Sequence, residues 1–145
     1  MSDADRDLIE AAHLAREHSY SPYSRFRVGA ALRCADGLIV TGANVENASF
    51  GLSICAERSA VFRAVAEGRR EFVAIAIVAD PVDPVPPCGA CRQVLLEFAP
   101  DMPVVMAGDL GADGPTVRTT VRDLMPHAFN DFPGARSPRT GTETP

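Results

Sequence analysis

Apolar side chains return at helical spacing near the start of the chain. Leu8, Ile9, Ala11, Ala12 and Ala15 stand among charges between residues 5 and 18, which predicts one amphipathic helix. Pro22, inside Ser19-Tyr-Ser-Pro-Tyr-Ser24, breaks it, because proline disfavours helix in the residue before it. Phe26 to Leu32 reads as a strand, Ala35-Asp36-Gly37 as a hairpin turn and Leu38 to Gly42 as the returning strand. Asn44 to Ser53 has little periodicity and reads as loop. A second helix is predicted over Cys55 to Gly68 from Ala60, Val61, Ala64 and Val65, with Gly68 as its C-terminal cap. Phe72 to Ala79 is an apolar run of strand length, and the prolines between Asp80 and Pro87 force a loop. Cys88 to Phe98 follows as a third helix, with Val94, Leu95 and Phe98 on its buried side. Val104 to Met106 and Val117 to Val121 read as strands around a turn at Gly108 to Gly114, and Val121 to Met125 as a short helix or turn ended by Pro126.

The order α-ββ-α-β-α-β-β predicts an α/β fold, a three-layer α-β-α sandwich with a mixed central sheet. Residues 1–129 form one domain in this reading. Pro, Gly, Ser and Thr dominate from Asn130 without an apolar pattern, so residues 130–145 are expected to be a disordered tail.

Composition narrows the partners. The 145 residues are 46% hydrophobic and 23% charged, ordinary for a globular domain with its own core. No stretch approaches the roughly 20 apolar residues of a membrane span. The N-terminal Met1-Ser-Asp-Ala-Asp-Arg-Asp is acidic and unlike a signal peptide, so a cytoplasmic location is expected. A net charge of −5 argues against a nucleic-acid partner, which calls for a basic stripe. The four cysteines, in a reducing compartment, read as ligands or buried hydrophobes rather than as disulfides.

The chemistry concentrates in Cys55-Ala-Glu57 and Pro87-Cys-Gly-Ala-Cys91. Three thiolates leave a tetrahedral zinc ion one open position, the mark of a catalytic rather than a structural site. Both segments stand where a loop enters a helix, and a helix N-terminus favours the thiolate. Cys88 and Cys91 alone would also suit two buried hydrophobes or a redox pair. Three thiolates and a hydroxide around a dication leave a charge of about −2, so a cation is needed, and Arg58 is the candidate beside its plainer reading as a surface arginine. Glu57 fits the first helical turn for electrostatic reasons alone, yet its carboxylate can also serve the metal's open side. Cys34, His13, His18 and His127 match no ligand position and are assigned no chemistry.

These motifs, Cys55-Ala-Glu57 with Pro87-Cys-Gly-Ala-Cys91-Arg-Gln93, closely resemble those of the zinc-dependent cytidine deaminases, in their short-chain form. The likeness extends through Tyr23-Ser-Arg-Phe-Arg-Val-Gly-Ala-Ala31, Asn44-Val-Glu-Asn-Ala48 and Leu124-Met-Pro-His-Ala-Phe129, or roughly residues 8 to 129. The resemblance implies that residues 1–129 are a catalytic domain holding one Zn²⁺ per chain on Cys55, Cys88 and Cys91. It implies a water attacking C4 of the pyrimidine, with Glu57 carrying its proton to N3 and then to the departing amine. It further implies that the Ala56 N–H meets the C2 carbonyl, that Phe26 packs on the base, and that Asn44 and Glu46 hold the ribose 3′-hydroxyl. Members of this type are homotetramers with shared sites, and Phe129 matches an aromatic supplied by a neighbouring subunit. Phe50 stands where many relatives have Tyr, and Ser53 where Gly is frequent.

The implied activity is hydrolytic deamination of cytidine and 2′-deoxycytidine to uridine and 2′-deoxyuridine in pyrimidine salvage. Phe26 read by pattern alone is an ordinary strand residue, and Glu46 in isolation a solvated loop carboxylate. Two rivals share the motifs: a deaminase of blasticidin-like nucleosides or of a base within nucleic acid, and a zinc-stabilised binding module. Glu46 and the acidic charge weigh against the first. The second needs a fourth protein ligand, and no Cys or His stands where one is expected.

Overall fold

The computed structural model describes residues 1–134. Its elements are α1 (Asp3–Arg16), β1 (Val28–Cys34), β2 (Ile39–Ala43), α2 (Ala56–Ala66), β3 (Phe72–Ala79), α3 (Gly89–Phe98), β4 (Pro103–Ala107) and β5 (Thr116–Thr120), with 3₁₀ turns at Phe50–Leu52 and Gly111–Asp113. Each start has a local cause. The Ser2 hydroxyl caps α1 by accepting from the Asp5 N–H at 3.1 Å, and Asp3 and Asp5 sit at its positive end. Gly37 and Gly68 adopt φ of 87° and 86°, which lets the hairpin close and α2 stop.

The strands form one mixed sheet in the order β2-β1-β3-β4-β5. Only β3 and β4 run parallel, joined through α3, and the other pairs are antiparallel. Side chains alternate between faces as the pleat requires. Ala30, Leu32, Ile75, Ile77, Val104 and Met106 pack with Ala60, Val61 and Leu95 of α2 and α3. Ala31, Ala74, Ala76, Val78 and Val105 pack with Leu8, Ile9 and Ala12 of α1. Two cores therefore separate three layers, as the order of elements predicts.

Close helix approach depends on glycine at one place that matters for the site. A Cβ on Gly42 would lie 2.4 Å from the Ala60 nitrogen and 2.6 Å from the Ala56 carbonyl oxygen. The first turn of α2 thus rests directly on the end of β2.

Some expectations shift. The first strand begins at Val28, not Phe26, because Asn44 replaces the ladder there: its Nδ2 donates to the Phe26 carbonyl at 2.8 Å and its Oδ1 accepts from the Val28 N–H at 2.9 Å. The buried side of α3 is Cys91, Leu95 and Leu96, while Val94 and Phe98 are only partly buried. Cys91 sets that phase, with Leu95 one turn on. Of the two readings of Val121 to Met125, helix or turn, the turn holds. Residues 130–134 are exposed and irregular, and the rest of the expected tail lies outside the described residues. Among the described residues no helix is long and apolar enough to cross a membrane.

Candidate active site

The N-termini of α2 and α3 converge. Cys55 and Cys88 are their N-cap residues, both with extended backbone, and Cys91 follows in the first turn of α3. The three sulfur atoms lie within 4.8 Å of one another. Cys55 and Cys88 sulfurs are 3.7 Å apart, far beyond a disulfide bond. Two sulfurs bound at 2.3 Å to a tetrahedral zinc are roughly 3.8 Å apart. The donor set and its spacing therefore fit zinc, with three protein ligands and room for a fourth.

Electrostatics favours the thiolate at Cys55 and opposes it at Cys91. The Cys55 thiol is lowered to about 5 by the hydrogen bond with Cys91, helped by those with Arg58 and Cys88 against the opposing effect of burial. Cys91, wholly buried, is pushed up by that same hydrogen bond, by burial and by the charge of Glu57. Arg58 donates to the Cys55 sulfur at 3.4 Å, and that bond raises its own pKa. The Arg58 Nε is buried without a partner among the described residues.

A cavity of about 410 Å³ opens beside the sulfurs. Cys55, Ala56, Glu57 and Cys88 form one wall, and Phe26, Asn44 and Glu46 line it too. Glu57 reaches the same space as Cys55 because the cysteine, as N-cap, stands outside the helical phase. Only 4% exposed, its carboxyl is pushed up by burial, with the Cys55 charge adding to the shift and hydrogen bonds from its own N–H and Cys91 opposing it. A buried carboxyl with a raised pKa exchanges protons more readily near neutrality. As the first residue of α2, Ala56 has an N–H without an intrahelical acceptor.

Asn44 and Glu46 line the same cavity. The Asn44 carboxamide accepts from Ser19 and Val28 and donates to Phe26, which leaves one N–H of its Nδ2. The Glu46 carboxylate accepts from the Tyr23 and Ser24 N–H groups at 3.0 and 3.1 Å and from the Ser24 hydroxyl. The hydroxyl bond, with those N–H groups, holds its pKa below the ordinary value despite some desolvation.

Phe129 stands apart from this cavity. It is 68% exposed, and its carbonyl accepts from Gln93 Nε2 at 2.7 Å. Ser24, Val28, Ile77, Ala79, Val85 and Pro86 line the cavity as well, without a role in the sequence reading. Ser24 and Val28 stand inside the Tyr23 to Ala31 motif, and Val85 and Pro86 in the proline loop next to Cys88. Arg92 was also missed; its guanidinium donates to the Pro87 carbonyl at 2.8 Å and the Leu124 carbonyl at 2.9 Å, fixing the loop before Cys88.

The family model described as the cytidine and deoxycytidylate deaminase zinc-binding region matches residues 2–107. A cytidine deaminase of Halalkalibacterium halodurans is 57% identical over 122 residues, covering 84% of this chain and 91% of that protein. A cytidine deaminase of Sporosarcina psychrophila is 49% identical over 124 residues, covering 85% and 89% respectively. The crystal structure of cytidine deaminase from Burkholderia pseudomallei superposes with a TM-score of 0.81 at 50% identity, covering 89% of this chain and all of that one. With three thiols, a buried glutamate and a nucleoside-sized cavity assembled on this sandwich, the chain belongs to the zinc-dependent cytidine and deoxycytidylate deaminase family.

Proposed function

We propose that this protein hydrolyses cytidine and 2′-deoxycytidine to uridine and 2′-deoxyuridine with release of ammonia, serving pyrimidine salvage in the cytoplasm. The observation that carries the reading is one cavity lined both by Cys55, Cys88 and Glu57 and by Asn44 and Glu46. One set suits an amine-bearing ring, the other a sugar.

Cys55, Cys88 and Cys91 would hold the zinc ion, which when bound supplies Lewis acidity that lowers the pKa of a water. Arg58 and the two helix N-termini offset the thiolate charge. Glu57 takes the proton of the attacking water and delivers it to N3 of the base, then takes the proton of the new C4 hydroxyl and passes it to the departing amine as the C4–N bond breaks. Its burial keeps that proton from bulk solvent. The Ala56 N–H meets the C2 carbonyl, and Phe26 covers a face of the base. For the sugar, the remaining Asn44 N–H donates to the 3′-hydroxyl oxygen, and the remaining acceptor position of Glu46 takes its proton.

Four copies of the chain are proposed to assemble, each supplying Phe129 to a neighbour's site. The exposure of that ring, away from its own cavity, supports this arrangement.

Incubation with cytidine, 2′-deoxycytidine and a cytosine-containing oligonucleotide tests the substrate class. The two nucleosides are expected to lose their cytosine absorbance band while the oligonucleotide does not change. Turnover of the oligonucleotide alone would overturn the proposal.

A further inference from the structure

Residues Ser21 to Phe26 turn tightly before β1: the Arg25 N–H donates to the Ser21 carbonyl at 2.9 Å, and Arg25 sits at φ 57°. A non-glycine residue holds that conformation only when its surroundings enforce it. Here the turn closes around one carboxylate. Glu46 Oε1 accepts from two backbone N–H groups, while Oε2 accepts from the Ser24 hydroxyl, and that hydroxyl accepts in turn from the Phe26 N–H at 3.0 Å. A carboxylate offers about four acceptor positions, so this arrangement leaves one, on Oε2. Ser24 and Glu46 both line the cavity.

We propose that Ser24 is a positioning residue that sets sugar specificity by fixing the direction of the last acceptor position of Glu46. The proposal rests on the reading that Glu46 receives the 3′-hydroxyl. Without the Ser24 hydroxyl, water takes its place on Oε2, and the sugar must compete with it. The Phe26 N–H faces the same hydroxyl, so the turn and the specificity share one side chain.

The test measures kcat and KM for cytidine and 3′-deoxycytidine in the unaltered protein, Ser24→Ala, Ser24→Thr, Glu46→Gln and the double variant Ser24→Ala/Glu46→Gln. The unaltered protein is expected to favour cytidine by ~100-fold or more in kcat/KM, because its sugar-binding groups are stranded without the hydroxyl. Ser24→Ala is expected to raise KM for cytidine about tenfold at nearly constant kcat, the loss of one hydrogen bond, and to raise that for 3′-deoxycytidine by much less, the share that passes through Phe26. Ser24→Thr, which keeps the hydroxyl, restores the preference. In the Glu46→Gln background, Ser24→Ala adds only that Phe26 share for cytidine, because Ser24 and Glu46 otherwise act as one unit. Equal losses on both substrates, or an unchanged cytidine KM, would overturn the role of Ser24 while leaving the sugar reading intact. An unaltered protein that treats both nucleosides alike would remove the sugar reading itself, and the role of Ser24 with it.

Discussion

At the residue scale, the four cysteines divide into three that cluster and one that stands apart. Cys55, Cys88 and Cys91 meet at two helix ends, whereas Cys34 is buried in the core at the end of β1, where burial raises its thiol pKa. Cys91→Ser is expected to lose the metal on dialysis against a chelator. Cys34→Ala should retain it in full and lose only about 1 kcal/mol of stability from the small cavity. Metal quantification beside thermal melting checks the contrast. A Cys34→Ala protein without metal would mean that the ligand set is wrong.

The cluster of Cys55, Cys88 and Cys91 was legible because its message is local: a cysteine just ahead of a helix, and two more three residues apart. The contact of Arg58 with Cys55 was legible for the same reason, three residues along the chain. Ser24 was not, because its role exists only after Glu46, far along the chain, folds back over it. Arg16 was equally hidden. It is 3% exposed, yet nothing in its helical position separates it from a surface arginine.

At the scale of elements, Arg16 ties α1 to the loops after β3 and β4. It bonds the Ala79 carbonyl at 3.2 Å and pairs with Asp80 at 3.4 Å and Asp109 at 2.8 Å. Asp80 begins the loop that carries Val85 and Pro86 to the cavity. Burial pushes the Asp80 carboxyl up, but hydrogen bonds from Arg27 and the charges of Arg27 and Arg16 prevail and hold it below the ordinary range. A depressed carboxylate stabilises the fold above its unfolded pKa of about 4 and loses that contribution as the pH falls through its folded value. Arg16→Met is therefore expected to cost about 2 kcal/mol at pH 7, from the loss of its pairs with Asp80 and Asp109 while Asp80 keeps Arg27, and less at pH 3. Urea unfolding at the two pH values checks it, and an equal cost at both would refute the pairing.

Gly42 gives a second test at this scale. Gly42→Val must push α2 off β2, because even a Cβ would lie within 2.6 Å of backbone at Ala56 and Ala60. A loss of 3 kcal/mol or so and weaker metal retention are expected together, since Cys55 caps that helix. Element types were readable from periodicity, while edges were not. Phe26 fell outside its strand because an asparagine side chain took over the ladder, and no propensity encodes that.

At the scale of the whole molecule, the order of elements and their apolar faces defined three layers, but the strand order needed the structure. The surface bears Phe50, Leu52, Phe62, Phe129 and Phe132 as exposed apolar side chains. Such exposure accords with association. Sedimentation is expected to report four chains, and mixed refolding of Phe129→Ala with Glu57→Gln should recover activity. In such hybrids a site can combine Glu57 from one chain with Phe129 from another. Chains that each complete their own site would show no recovery.

The most direct test of the central claim joins metal content to turnover in one pair of proteins. The unaltered chain is expected to hold one zinc ion and to convert cytidine to uridine. Glu57→Gln should keep the zinc while its kcat falls by roughly 10²- to 10⁴-fold, the usual worth of a general acid–base group. A zinc-loaded Glu57→Gln protein that deaminates cytidine at the unaltered rate would contradict the account.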